Sequence, residues 1–339
     1  MLTEDERKQR LKRNLAATWS WFFLVALLIT FEIWARTKYD GASFLLNPYN
    51  VRSIALFAAI PLLLGAGQTF VIISGGIDLS VGFVLGLAAV FMALVMVWVT
   101  PTTGPLIGII LGCIAALAVT LIPGLINGAL ISRLNVPPFI GTLGMFGVAR
   151  GVAFLFAGGS TVPVNNDFLF FIGNGSVFGI PVPIIITVVV VGVLHYILSQ
   201  TRFGQYTYAI GGNRNAASRA GIPVKNHTLK LYLISALCAG IAAIIYTARF
   251  SAGAPQAGEP LLLDSIAAVV IGGASLFGGS GTIIGTVIGA LIIAVIQYGL
   301  VFVDVEPFWQ FVAVGAVIIV SVLVDQTQSK ITGDEHSDG

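Results

Sequence analysis

The chain has 339 residues, of which 57% are hydrophobic and only 9% charged, with a formal net charge of +2. Soluble domains carry roughly 25% charged residues. A mean hydropathy of +0.96 therefore makes the bilayer the solvent and leaves no segment long enough for a soluble catalytic domain. Cys113 and Cys238 both lie in apolar stretches and read as small packing residues rather than a disulfide or a metal pair.

Apolar runs of the length needed to cross a bilayer, about 20 residues, recur along the chain and predict an all-α polytopic membrane protein with ten spans. A basic segment, residues 1–14, precedes the first span at 15–35 and is followed by no small-residue cleavage site. The second span is expected at 51–73 and the third at 79–99. The fourth, 105–132, is overlong, and Pro123 with Gly124 predicts a kink or break in it. The fifth and sixth follow at 138–157 and 181–199, and the seventh at 228–250. The eighth, 262–276, is short and expected to be broken or re-entrant. Spans at 282–303 and 307–325 complete the domain, 15–325, and an acidic tail with Asp334, Glu335 and Asp338 closes the chain at 326–339.

Basic residues orient these spans. With ten of them, Arg7, Lys8, Arg10, Lys12, Arg13, Arg133, Arg202, Arg214, Arg219, Lys225, Lys230 and Lys330 share one side, twelve of the seventeen Lys and Arg. Arg36, Lys38, Arg52 and Arg249 fall on the other side, and Arg150 falls inside a span. The excess places both termini and loop 200–227 in the cytoplasm, and the polar stretch 158–180 outside.

Four features carry the functional reading. In Ser74–Gly82 two glycines end one helix, and Asp78 and Ser80 stand where the next begins. The carboxylate is read either as the cap of the third span or as a gate on a transport route, since ionisable groups at membrane depth are functional candidates. In Tyr208–Val224, Gly211 and Gly212 are expected to form a sharp turn, Asn213 to cap, and Gly221 with Pro223 to stop a short basic helix carrying Ala216 and Ala217. That loop is read as a solvated connector or as a helix docking on a cytoplasmic partner. The run Gly272–Gly281, with Gly272 and Gly273 at its start, has no following Lys and no preceding strand, so it is a close-packing or unwound segment on the pathway rather than a phosphate cradle. Stretches 71–86 and 270–289 resemble each other and suggest an internal repeat, as transporters often have. Lastly, Arg150 is either a buried residue bonded to helix carbonyls or a pathway ligand, and His195 is interfacial. No nucleophile triad, metal spacing or intramembrane carboxylate pair is present, and no cofactor is expected.

The run Gly75-Gly76-Ile77-Asp78-Leu79-Ser80-Val81-Gly82 resembles the signature of ribose/xylose/arabinose-type permeases of bacterial ABC importers. So do Val136–Met145 with Ala149-Arg150-Gly151, Ala209–Asn213 with Ala216-Ala217 and Ala220-Gly221-Ile222, and the segment Gly272–Gly289. The resemblance covers roughly residues 50–325. It implies a multi-pass inner-membrane permease, paired as a homodimer or heterodimer, that works with a cytoplasmic ABC ATPase and a periplasmic sugar-binding protein. Loop 200–227 would then couple to the ATPase through Gly211, Gly212, Asn213, Ala216, Ala217 and Gly221. A path of small and apolar residues would carry a sugar or polyol past Asp78, Ser80, Arg150, Gly272 and Gly273. Lipid is an expected partner and nucleic acid is not. An ion-coupled secondary transporter is the alternative reading.

Overall fold

The computed structural model describes residues 4–306 and 308–331, and Asp334, Glu335 and Asp338 of the tail lie outside them. Helices dominate. α1 (Glu4–Lys38), α2 (Pro48–Ile73), α3 (Val81–Thr103), α4 (Pro105–Ser132) and α5 (Pro138–Phe156) come first. The outer stretch holds β1 (Val162–Pro163), α6 (Asp167–Asn174), β2 (Ser176–Val177) and β3 (Ile180–Pro181), and α7 (Val182–Gln200) follows. Then come α8 (Arg202–Gly212), α9 (Arg214–Arg219) and α10 (Val224–Phe250). β4 (Ala252–Gly253), α11 (Glu259–Ile271), α12 (Ile283–Phe302) and α13 (Trp309–Ile331) complete the chain. Two-residue pairs β1–β4 and β2–β3 are the only strands among the described residues.

Eight of these helices are long and apolar enough to cross a membrane: α1 from Trp19, α2, α3, α4, α5, α7, α10 and α12. α13 contributes a shorter apolar stretch, Trp309–Ser321. The protein is an all-α polytopic membrane protein. α2 is the central helix, with 89% of its most apolar window buried, against 28% for α4, α5 and α7, whose exposed Ile, Leu, Val and Phe side chains face outward.

α4 runs unbroken through Pro123. α1 is helical from Glu4, and its membrane-length stretch begins at Trp19, after the basic residues. In place of a span at 262–276 stands the 13-residue α11, about 20 Å long at 1.5 Å per residue, preceded by a non-helical stretch that lies along α3. A Cβ on Gly253 would sit 2.2 Å from the Ala89 carbonyl oxygen, and one on Gly82 would sit 2.5 Å from that of Gly258. The stretch therefore follows α3 antiparallel, from Ala89 back to its first turn, before α11 begins.

The two similar sequence stretches share a helix, a left-handed glycine turn and a second helix. α2 ends at Ile73, Gly75 takes φ +79°, and α3 starts at Val81; α11 ends at Ile271, Gly273 takes φ +85°, and α12 starts at Ile283. In both, the second helix presents a glycine stripe to a neighbouring backbone. A Cβ on Gly86 would meet the Pro255 carbonyl oxygen at 2.1 Å, and one on Gly289 that of Ala268 at 1.9 Å. This is the small-residue contact that lets membrane helices approach closely.

Candidate functional site: a buried carboxylate, a glycine junction and an exposed helix

Asp78 is 2% exposed and sits within the bundle, below the end of α2. The Gln68 side-chain amide donates to its backbone carbonyl, and Gln68 is five residues before the helix end, about 8 Å along the axis. The carboxylate does not bond the first-turn N–H groups of α3. Its Oδ1 accepts from the Ser80 backbone N–H at 3.0 Å and the Ser80 hydroxyl at 2.6 Å. Its Oδ2 accepts from the Ser235 hydroxyl of α10 at 3.0 Å. Ser80 is the N-cap residue, and its hydroxyl in turn accepts from Asn127 Nδ2 of α4 at 2.9 Å. The simple cap expected from sequence is thus replaced by a node that ties α2, the turn before α3, α4 and α10 together.

This node is incompletely satisfied. Gln68 Oε1, Asn127 Oδ1 and Tyr232 Oη, all in buried residues, lack hydrogen-bond partners, and the Tyr232 hydroxyl lies where a Cβ on Gly76 would come within 2.8 Å of it. Each such group costs about 1–3 kcal/mol. A network with unmet acceptors has alternatives of similar energy, which is what a moving part requires.

A second centre lies where three backbones meet. The Gly279 N–H donates to the Ile73 carbonyl at 2.8 Å. The C-terminal end of α8 packs into this junction: a Cβ on Gly211 would stand 1.8 Å from the Ile73 oxygen and 2.6 Å from the Gly279 nitrogen. Tyr208, one turn earlier, donates its hydroxyl to the Gly281 carbonyl at 2.7 Å. Burial pushes that phenol above its ordinary pKa, so it stays a neutral donor. Gly211 and Gly212 are therefore the last residues of a helix rather than a sharp turn, and Gly211 is required by close approach. Gly272 stacks on the Gly285 backbone and, with His195 and Tyr208, lines a cavity of about 260 Å³.

α9 projects from this junction. Asn213 caps it by accepting from the Ala216 N–H at 2.9 Å. Its far end closes with Ile222 N–H donating to Ala217 O and Gly221 in the left-handed region at φ +84°. Ala216 is exposed. Ala217 is buried against Ile210, Val224 and Ile222. The two alanines thus lie on different faces of α9, and only Ala216 is open to a partner.

Arg150 stands apart from both centres. It is exposed on α5, with its guanidinium 5.3 Å from the centroid of the Phe83 ring, rather than buried against helix carbonyls.

An apolar bundle of this kind, with eight helices of membrane-crossing length, defines a polytopic membrane protein. Comparison gives the family. The family described as "Branched-chain amino acid transport system / permease component" matches residues 50–322. The ribose import permease protein of Bacillus subtilis is 42% identical over 294 residues, 84% of this chain and 87% of that protein. The D-allose transport system permease protein of Escherichia coli is 36% identical over 332 residues, 96% of this chain and 98% of that one. The fructose import permease protein of Rhizobium meliloti is 35% identical over 316 residues, covering 91% and 84%. The chain belongs to this family of transport permeases and is a multi-pass protein of the inner membrane.

Proposed function

We propose that the protein is the permease subunit of an ABC importer for a sugar or sugar-like polyol, driven by a separate cytoplasmic ATPase and supplied by a periplasmic binding protein. The observation that carries the reading is end-to-end similarity to ribose and allose permeases; nothing in it favours an ion-coupled transporter. The subunit itself hydrolyses nothing, and it works as one of a pair. α9 is the docking helix, with Ala216 on its outer face. Force on it passes through Tyr208 and Gly211 to the ends of α2 and of the Gly278–Gly281 loop, and from there to the Asp78 node, which acts as the gate. Gly272 and Gly273 belong to this moving junction, whereas Arg150, on an outer face of α5, is suited to a partner surface or lipid contact.

The test is a pair of substitutions. Ala216→Trp enlarges the exposed face and is expected to reduce co-purification of the ATPase or to cut ATP-driven uptake at least tenfold, with the bundle intact. Ala217→Trp instead overpacks the Ile210–Val224 contact, at a cost of about 1–3 kcal/mol, and is expected to damage α9 itself. Normal assembly and uptake in Ala216→Trp would remove α9 as the coupling element.

The ten-span topology follows from the same reading. The eight long helices are joined by α13 and by α11, and the latter completes its crossing with the stretch along α3. Both termini are then cytoplasmic, in line with the basic excess. Reporter fusions at Asn166 and Asn213 are expected to report opposite sides; the same side for both would sink this topology.

A further inference from the structure

A large cavity lies away from the Asp78 node. It has a volume of about 860 Å³ and is bounded by α2, the outer end of α10, residues 256–264, α12 and α13. Its walls are mostly apolar, but several polar groups converge on them from separate elements. Asp264 of α11 is 7% exposed, and one of its oxygens, Oδ2, accepts from Gln297 Nε2 of α12 at 2.9 Å. That leaves Asp264 Oδ1 and Gln297 Oε1 as acceptors. Arg249 of α10 lines the same space, with a buried Nη1 that lacks a partner. Gln256, Glu259 and Gln310 complete the polar set. Tyr246 and Phe250 line one wall, their ring centroids 4.6 Å apart.

We propose that this cavity is the solute site of the permease and that it takes a neutral polyhydroxylated molecule. The inference rests on the importer reading above and adds the place. A lipid tail or a purely apolar ligand would leave Arg249 Nη1 and the remaining acceptors of the Asp264–Gln297 pair unmatched in an apolar wall, which costs free energy. A charged solute would meet both signs at once, Arg249 on one side and Asp264 with Glu259 on the other. Hydroxyl groups, each both donor and acceptor, satisfy a mixed set of this kind, and aromatic rings suit the C–H face of a sugar ring. The site is more polar than the path of small and apolar residues expected from sequence. Its position at the foot of the stretch along α3, against Gln256 and Ala257, places the bound solute against the element that begins α11, so occupancy and the rearrangement of that hairpin are coupled.

The experiment uses the complete transporter, permease with ATPase and binding protein, in proteoliposomes, with radiolabelled D-ribose, D-allose and D-fructose as probes. Leu263 lines the cavity, is exposed and makes none of its polar contacts, so Leu263→Cys is expected to fold and to transport like the unmodified protein. Attachment of a bulky thiosulfonate to that cysteine is expected to cut uptake at least tenfold while ATPase co-purification and binding-protein docking persist. The parent protein, whose Cys238 is buried and Cys113 half-buried, serves as the reagent control. Asp264→Asn is expected to reduce uptake of the transported sugar and to change its preference among the three. Undiminished uptake after verified modification of Leu263→Cys, together with unchanged selectivity in Asp264→Asn, would overturn the site while leaving the importer reading standing. A parent transporter that takes up no neutral sugar would overturn the importer reading itself.

Discussion

Gly211→Ala is expected to abolish transport although it adds one methyl group. The added carbon would lie 1.8 Å from the Ile73 carbonyl oxygen and 2.6 Å from the Gly279 nitrogen. Both are backbone atoms that cannot rotate away, so the end of α8 must move off the junction. That displacement removes close packing and strains the Gly279–Ile73 and Tyr208–Gly281 hydrogen bonds, each worth about 1 kcal/mol. Because the damage falls between the docking helix and the two helix–turn–helix stretches, the expected phenotype is uncoupling: ATPase bound, ATP hydrolysed, and uptake reduced by at least tenfold. Gly212→Ala supplies the control, since a Cβ there meets nothing within 4 Å. Equal uptake in both variants, measured in vesicles with matched protein levels, would show that close approach at Gly211 does not transmit force.

Asp78→Ala is expected to have the second-largest effect. It strands the Ser80 N–H and the Ser80 and Ser235 hydroxyls in a buried site, each at about 1–3 kcal/mol. Asp78→Asn retains an acceptor oxygen and loses only the charge and one bond, so it is expected to keep measurable uptake and a melting temperature above that of the alanine variant. Equal and complete loss in both, with normal assembly, would mean that the charge and not the hydrogen-bond node is what transport needs.

The sequence made the long helices legible because hydropathy reports lipid contact directly, and α2, α3, α5, α7, α10 and α12 lie within a few residues of their expected positions. α11 was legible as a short, interrupted element near 262–276, but the course of Ala254–Gly258 before it is set by α3 and not by its own residues. Asp78 was recognisable as an ionisable group in an apolar chain, yet its partner Ser235 is 157 positions away and Asn127, which bonds Ser80, is 47 from that serine, and no local rule connects them. The burial of Ala217 was not readable, because Ile210, Ala217 and Val224 lie in three separate helices that only the fold brings together. Asp264 and Gln297 escaped notice because each stands alone in its own helix, and only the packing of α11 on α12 brings them together.

The central claim, that this bundle imports a sugar only when a partner ATPase drives it, is tested most directly by uptake in proteoliposomes. Radiolabelled D-ribose, D-allose and D-fructose would be offered to vesicles holding the permease alone and the permease with its ATPase, each with the binding protein and ATP supplied on the appropriate sides. Accumulation of at least one sugar that requires the ATPase and stops when ATP is withheld is the predicted result. Accumulation by the permease alone, driven by an ion gradient and indifferent to ATP, would contradict the account.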